Sequence, residues 1–402
     1  MENMFSGGYE LNYLDVTSFD TNKVTNMANM FSTCPHLLSL DVSNFKTSNV
    51  ENMSGMFSSC SFLQSLDITN FDTTNVIDMK RMFSRLSYIK SIKLNLNTKN
   101  IKDFSYMFCY CNNLESLDLT SFDTSQATSM QFMFGYCTKL EKLDISTFKT
   151  NNVLDASSMF IRCAVLTSLD VSFFDTGNIK TMNNMFSGME KLESIDISNF
   201  NTSQTSDISF MFEGCKTLEY LDLSCFEGAP LTNMAHLFHS DEKLKKIKLG
   251  KIDTSQVTNM GYMFYYCISL IEIDLENLVA TNLNMMRNMF DSCYSIKTIN
   301  LENFSTNQVT DLTNAFSNCR TLENINLKKF DSSKVTKMYY TFYNCTSLKE
   351  LDLSSFNTEK CTDFTNIFAR IEELTIKLNP SYALNLIKLY ENTFNIINIT
   401  EY

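Results

Sequence analysis

The sequence is poor in the residues on which most enzymes, disordered chains and membrane proteins depend. It contains three His, so catalysis of the Ser-His-Asp or Cys-His type has little material to use. Three Pro and ten Gly in 402 residues are too few for a disordered or low-complexity chain. No apolar run is long enough to cross a bilayer, and there is no glycine-rich phosphate loop and no H-E-x-x-H motif. These absences predict a non-enzymatic protein with no catalytic residues, no cofactor, no metal ion and no transmembrane segment.

The charge balance and the first residues give further expectations. The formal net charge of -12 disfavours nucleic acid as a partner. Residues 1–10 contain no basic segment and no apolar segment of the kind found in a signal peptide. Residues 3–6 match residues 29–32, so the chain is expected to begin inside a repeat. A further contact in a larger assembly is possible through that incomplete repeat.

What the sequence does contain is one pattern repeated over most of its length. Residues 114–138 read LESLDLTSFDTSQATSMQFMFGYCT, and residues 140–164 read LEKLDISTFKTNNVLDASSMFIRCA. A Phe, usually preceded by Met, marks each copy. These Phe are Phe5, Phe31, Phe57, Phe83, Phe108, Phe134, Phe160, Phe186, Phe212, Phe238, Phe264, Phe290, Phe316, Phe342 and Phe368. Every step is 26 residues except the 25 from Phe83 to Phe108, and such a fixed period indicates a stacked-repeat protein.

Each repeat divides into two halves. The first, L-x-x-L-x-L, alternates apolar and polar residues and predicts a short strand. The second places Val50, Met53, Met56, Phe57 and Cys60 at the spacing of one helical face. The D-T-S-x-V-T link between them predicts a turn and a helix cap. We therefore expect an α/β, leucine-rich-repeat-like solenoid of about 14 strand-turn-helix repeats, with a parallel strand ladder on the concave face and short helices on the convex face. The solenoid is expected to span residues 1–369, followed by a capping segment, 370–402.

One repeat position carries aspartates that are predicted to face outward from the strands. These are Asp15, Asp41, Asp67, Asp118, Asp144, Asp170, Asp196, Asp222, Asp274 and Asp352. Beside them the side chains vary between repeats and include Tyr13 and Tyr220. One interpretation is a face that binds a partner or cations, and the other is a polar ladder that keeps the strand face soluble. Because Lys93, Lys248, Asn300 and Asn326 interrupt the column, a strict metal ladder is disfavoured.

Three further features have a structural and a functional interpretation. The Cys at the end of each repeat is replaced elsewhere by Leu86, Met189 or Ile371, which predicts buried thiols that act as small hydrophobic groups. His236, His239 and Asp241 have a spacing that could hold a metal, but no fourth ligand is nearby, and a polar helix end is the alternative. The lysines of residues 243–251 are either a solvated face or a docking site for an acidic partner.

The full motif, L-x-x-L-D-L-S-x-F-D-T-S-x-V-T-x-M-x-x-M-F-x-x-C, resembles the 26-residue repeat of the BspA-like family, also described as the DUF285 repeat. The resemblance covers roughly residues 1 to 370. It implies a surface protein with a role in adhesion or in binding a protein partner of unknown identity. From the residues themselves, the acidic, Ser/Thr-rich concave face that carries the aspartates is the expected binding surface. The resemblance also implies location at the cell surface. A cytoplasmic or cytoskeleton-associated scaffold is the alternative, because no signal peptide is visible.

Overall fold

The computed structural model describes residues 1–379, Ser381, Leu386 and the backbone of residues 397–401. The chain forms two compact units, Met1–Asn201 (unit 1) and Thr202–Tyr402 (unit 2). Each unit is a β-solenoid, and together they have about 12 turns. We call each 26-residue turn of the solenoid a coil.

Short parallel strands form one side of the coils. Unit 1 contains the paired strands β1 (Leu66–Asp67) and β2 (Ile92–Lys93). Unit 2 contains β3 (Tyr220–Asp222), β4 (Lys246–Lys248), β5 (Glu272–Ile273), β6 (Thr298–Asn300), β7 (Asn324–Asn326), β8 (Glu350–Leu353), β9 (Leu374–Leu378) and β10 (Ile397–Glu401). They pair as β3-β4-β5, β6-β7 and β8-β9-β10. We call this side of each unit the strand face.

The second half of each repeat is not a helix, so the predicted α/β architecture with helices on the convex face is wrong. Between residues 1 and 379 the one helical element is a short 3₁₀ turn, Ser224–Phe226. In place of helices there is a ribbon of tight turns in which every fourth residue has a left-handed backbone, as at Asn29 (φ 52°) and Thr33 (φ 60°). A left-handed residue cannot continue a right-handed helix. We call this ribbon the turn face.

Backbone hydrogen bonds join the turn face of one coil to the next coil. The N–H groups of Asn29 and Phe31 donate to the carbonyls of Ser54 and Met56 at 2.8 and 3.0 Å. Between these rungs the Met30 N–H donates to the carbonyl three residues earlier at 3.1 Å, which closes a turn. Successive four-residue turns bury residues at nearly the same spacing as a helix does. This explains why the apolar pattern resembled a helical face.

Columns of Leu, Met and Phe side chains from successive coils fill the interior of each unit. Met27, Met53, Phe31 and Phe57 are fully buried. Phe31 stacks on Phe57 with ring centroids 5.8 Å apart, and Phe45, which follows the strand, packs against Phe31 at 6.3 Å. Unit 2 repeats this stacking among its own coils. Each unit therefore contains a continuous apolar core.

A buried Thr in the D-T-S link holds adjacent coils together instead of capping a helix. The Thr124 hydroxyl donates to the Lys149 carbonyl at 3.0 Å and accepts from the Lys149 N–H at 2.7 Å. Thr306 makes the same pair of bonds to Asp331, at 3.0 and 2.7 Å. Because both Thr side chains are buried, each hydroxyl satisfies a donor and an acceptor that water does not reach.

The predicted capping segment, residues 370–402, lies largely outside the described residues. Its described part includes β9, which pairs with β8 on one side and with β10 on the other. The boundary at residue 369 stays a prediction.

Candidate functional site

The ten aspartates of the column lie on the strand faces, where each is exposed or half-exposed and has one oxygen engaged locally. The backbone N–H two residues further on donates to Oδ1, for example Thr17 to Asp15 at 2.9 Å and Ser172 to Asp170 at 3.0 Å. The same Asx turn forms at Asp41, Asp67, Asp118, Asp144, Asp196, Asp222, Asp274 and Asp352. The aspartates therefore shape the corner after each strand with one oxygen, and the turn leaves the second oxygen unused.

These hydrogen bonds also keep the exposed carboxylates charged. Side-chain and backbone hydrogen bonds from Thr17 lower the pKa of Asp15, and the equivalent bonds from Thr120 lower the pKa of Asp118. A hydrogen bond donated to the ionised form favours that form. The column is therefore anionic at neutral pH.

In unit 1 the structure gathers several predicted residues around one open depression. It measures about 550 Å³ and is lined by Tyr13, Asp15, Asp41 and Asp67. Tyr13 is 73% exposed, so its ring is available to a partner. The depression is anionic with one aromatic wall.

Further along unit 1, four aspartates follow one another without interruption on consecutive coils: Asp118, Asp144, Asp170 and Asp196. Among the described residues no cationic side chain lies within salt-bridge distance of any of them. Repulsion from Asp196 partly opposes the hydrogen bonds from Ser172 that lower the pKa of Asp170. These four carboxylates form the longest consecutive run in the column without a cationic partner among the described residues.

In unit 2 the matching depression contains both signs of charge. Exposed Tyr220 and Asp274 line it together with Lys246 and Lys248. Lys248 Nζ lies 2.8 Å from Asp222, and Lys246 Nζ lies 3.0 Å from a glutamate of the next coil. The lysine cluster of residues 243–251 is thus largely paired within unit 2, which favours the solvated-face interpretation.

The cysteine column is buried, as predicted. The Cys137 thiol donates to the Phe108 carbonyl at 3.2 Å, and Cys319 donates to Phe290 at 3.1 Å. Burial raises the pKa of Cys111 to about 12. These thiols are neutral rungs between coils and are not reactive groups.

Asp241 occupies a cysteine position, which the sequence analysis did not notice. Its side chain is fully buried, Oδ1 accepts the Cys215 N–H at 2.8 Å, and Oδ2 has no partner among the described residues. Burial raises the pKa of this carboxyl well above its usual range. His236 Nδ1 and His239 Nδ1 lie 3.1 Å apart, and burial lowers the pKa of His236 to about 4. Within the described part of the chain no three His, Cys, Asp or Glu side chains are placed to hold a metal.

The side chains at the left-handed positions of the turn face were not predicted. In unit 1 some of these positions carry aromatic residues that stack between coils, with ring centroids 4.9 Å apart for Tyr106 and Phe132 and 4.3 Å apart for Tyr110 and Tyr136. Unit 2 has a similar stack, in which the His236 ring lies 4.2 and 4.6 Å from aromatic rings of the coils on either side. Scattered Gly and Asn at these positions were the available signal, because both residues tolerate a positive φ.

A chain built of repeated coils joined by backbone rungs and buried columns is a repeat-solenoid protein. The sequence profile of a family described as "Mycoplasma protein of unknown function, DUF285" matches it six times. The matches cover residues 1–95, 87–192, 141–226, 163–276, 206–318 and 284–399. The chain therefore belongs to the DUF285 family, as its repeat motif had indicated.

Other comparisons add little to this assignment. A search of curated proteins finds no match. Among solved structures, the chain is similar to one titled "Crystal structure of TLR13-ssRNA13 complex", with 13% identity and a TM-score of 0.27. The match covers 91% of this chain and 57% of the other, so the chain spans somewhat more than half of that structure's length. No described helix is long and apolar enough to span a bilayer.

Proposed function

We propose that the protein is a non-catalytic binding protein whose unit 1 strand face holds a basic surface of a protein partner. The observation that carries this proposal is the uninterrupted run Asp118, Asp144, Asp170 and Asp196. Each of these exposed carboxylates has Oδ1 fixed by its Asx turn, which leaves Oδ2 unused by the turn. In this proposal the partner supplies the cations that the described residues do not place beside these four aspartates. Complementary charge steers the approach of the two proteins and sets their register.

The fixed geometry of the carboxylates supports binding over simple solubility. Because the Asx turn holds each carboxyl in place, less side-chain freedom is lost when a partner binds. The exposed Tyr13 beside Asp15 and Asp41 adds an aromatic contact of the kind enriched in protein interfaces.

The setting we propose is adhesion at a cell surface, in keeping with the repeat motif's resemblance to surface proteins. Brief protease treatment of intact cells that carry the tagged chain tests the location. Loss of the chain before cell lysis supports a surface location. Full protection until lysis would favour the intracellular scaffold instead.

The charge requirement is tested by replacing the run with Asn: D118N, D144N, D170N and D196N together. Asn retains the oxygen that accepts the backbone N–H, as natural Asn300 does for Glu302 at 3.1 Å. Binding of a fluorescein-labelled oligolysine peptide to the full chain, measured by anisotropy, is expected to weaken at least about tenfold and to fall with salt.

The matched control removes four carboxylates that begin the D-T-S link and form an Asx turn there: D72N, D123N, D175N and D331N. These aspartates accept the same backbone bond. This control is expected to bind oligolysine nearly as well as the unaltered chain. An equal loss of oligolysine binding in both variants would mean that only the net charge matters, which would contradict binding at the strand face.

A further inference from the structure

The turn face of unit 1 carries two arginines that stand out in this acidic chain. Arg81 and Arg85 are exposed and lie four residues apart, both at left-handed positions (φ 58° and 62°). Within the described residues neither forms an ion pair or a side-chain hydrogen bond. The nearby Asp103 is already taken by Lys80 at 2.8 Å. No described residue therefore accepts a hydrogen bond from either guanidinium.

Each arginine is nevertheless held in place by an aromatic ring of the next coil. The Arg81 guanidinium carbon lies 4.8 Å from the centre of the Tyr106 ring, and that of Arg85 lies 4.9 Å from the centre of the Tyr110 ring. Tyr106 and Tyr110 belong to the same coil and lie four residues apart, as the two arginines do. Stacking orders a guanidinium plane while leaving its edge free to donate.

The rings continue the two stacks into the following coil, where Phe132 backs Tyr106 and Tyr136 backs Tyr110. All four rings are half-exposed. Backbone rungs set their spacing: the Tyr106 N–H donates to the next coil at 2.9 Å and the Tyr110 N–H does so at 2.8 Å. We call Arg81, Arg85, Tyr106, Tyr110, Phe132 and Tyr136 the arginine–tyrosine patch.

We propose that the arginine–tyrosine patch is a second interaction surface, which docks an acidic, aromatic-containing segment of a partner protein. Two ordered guanidinium forks match carboxylates, to which Arg binds through two parallel hydrogen bonds. Half-exposed Tyr beside exposed Arg is a composition that is enriched at interface hot spots. The segment that binds the patch is thus acidic, whereas the partner proposed for the strand face is basic.

The charge balance favours a protein segment over a nucleic acid. Two uncompensated cations on a chain of net charge -12 cannot offset a strand that carries one phosphate per nucleotide. A short peptide with a few carboxylates can bind both guanidinium groups. It does not place a long polyanion against the acidic remainder of the protein surface.

The test is anisotropy of a labelled peptide of alternating Glu and Tyr with the full chain. The expected result is saturable binding that weakens at least about tenfold in the double variant R81Q/R85Q. R81K/R85K, which keeps the charge and loses the fork, is expected to weaken binding as well. The matched control is R320Q, because Arg320 stacks 4.7 Å from the centre of the Tyr294 ring far from the patch in sequence. It is expected to bind normally.

Three results would overturn the proposal. These are undetectable binding, equal binding by R81Q/R85Q, or equal binding of a Gln-Tyr peptide. Single-stranded oligothymidine that binds as tightly, with the same arginine dependence, would assign the patch to nucleic acid instead. The strand-face variant D118N/D144N/D170N/D196N is expected to bind the Glu-Tyr peptide fully, so failure of this proposal is distinct from failure of the strand-face proposal.

Discussion

The strand faces of the two units are built from the same repeat yet differ in backbone pairing. Residues 114–200 of unit 1 carry the uninterrupted run of Asp118 to Asp196 and contain no strand. Residues 220–353 of unit 2 carry Lys248, Asn300 and Asn326 at the same repeat position and contain β3 to β8. Between residues 66 and 378, every described strand pair that contains this position places a lysine opposite an aspartate or an amide opposite an amide.

The register of each strand pair explains the difference. In unit 1, β1 and β2 pair where Lys93 comes opposite Asp67. In unit 2, β3 and β4 pair where Lys248 comes opposite Asp222, and amides come opposite each other in β6 and β7. Like charges directly opposite destabilise pairing, whereas opposite charges and amides support it. The coils of unit 1 that carry the carboxylate run are therefore held together by the turn face and the buried columns. The carboxylates of the run remain exposed to a partner.

The largest expected effect tests the buried Thr column, which the two units share. T124V in unit 1 and T306V in unit 2 each remove a hydroxyl that bonds both the N–H and the carbonyl of the next coil. Each is expected to cost about 2–3 kcal/mol, because buried partners are left unsatisfied. Hydrogen–deuterium exchange should show faster exchange at Lys149 and Asp331. Unequal losses of stability in the two variants would mean that the buried interiors of the units also differ.

Much of this architecture could be predicted from the sequence, and one half of each repeat could not. The fixed period determined the stacking, and the columns of Met27, Phe31 and Cys34 determined which side chains are buried. The turn face was mistaken for a helix because four-residue turns bury nearly the same positions. Its left-handed residues include Tyr106 and Arg81 as well as Asn and Gly, which obscured the signal for positive φ. Contacts between coils, which no local pattern encodes, override the local preferences of these residues.

The second prediction concerns Asp241, which interrupts the thiol column of unit 2. D241C restores the side chain found at the equivalent position of most coils, where a thiol donates to the Phe carbonyl of the preceding coil. We expect a gain of about 1–3 kcal/mol at neutral pH, since an unpartnered buried carboxyl oxygen is removed. Urea unfolding measures it. A destabilised variant would show that the carboxyl makes a compensating bond.

The third prediction exchanges the charge patterns of the two strand faces. K248D places three aspartates in succession in unit 2 and breaks the 2.8 Å contact with Asp222. D144K divides the run of unit 1. We expect K248D to lower the Tm by a few degrees and D144K to raise it by less, because both sites are exposed to solvent. Both shifts should shrink in 1 M salt, where charges are screened within about 3 Å. Shifts that persist in salt would assign strand pairing to something other than charge.

The last prediction is a difference in pH dependence that one residue produces. Hydrogen bonds lower the pKa of exposed aspartates such as Asp118, so their stabilising contribution is present above the usual pKa of 3.8 and is lost as the pH falls. Burial raises the pKa of Asp241, so the opposite sign applies: its contribution is complete below 3.8 and is lost as the pH rises toward its folded value. The stability of the unaltered chain relative to D241N should therefore increase as the pH falls from 7 to about 4. Because one proton is involved, the slope cannot exceed about 1.4 kcal/mol per pH unit. Urea midpoints of both proteins across this range measure the difference, and a flat difference would mean that Asp241 titrates alike in the folded and unfolded chains.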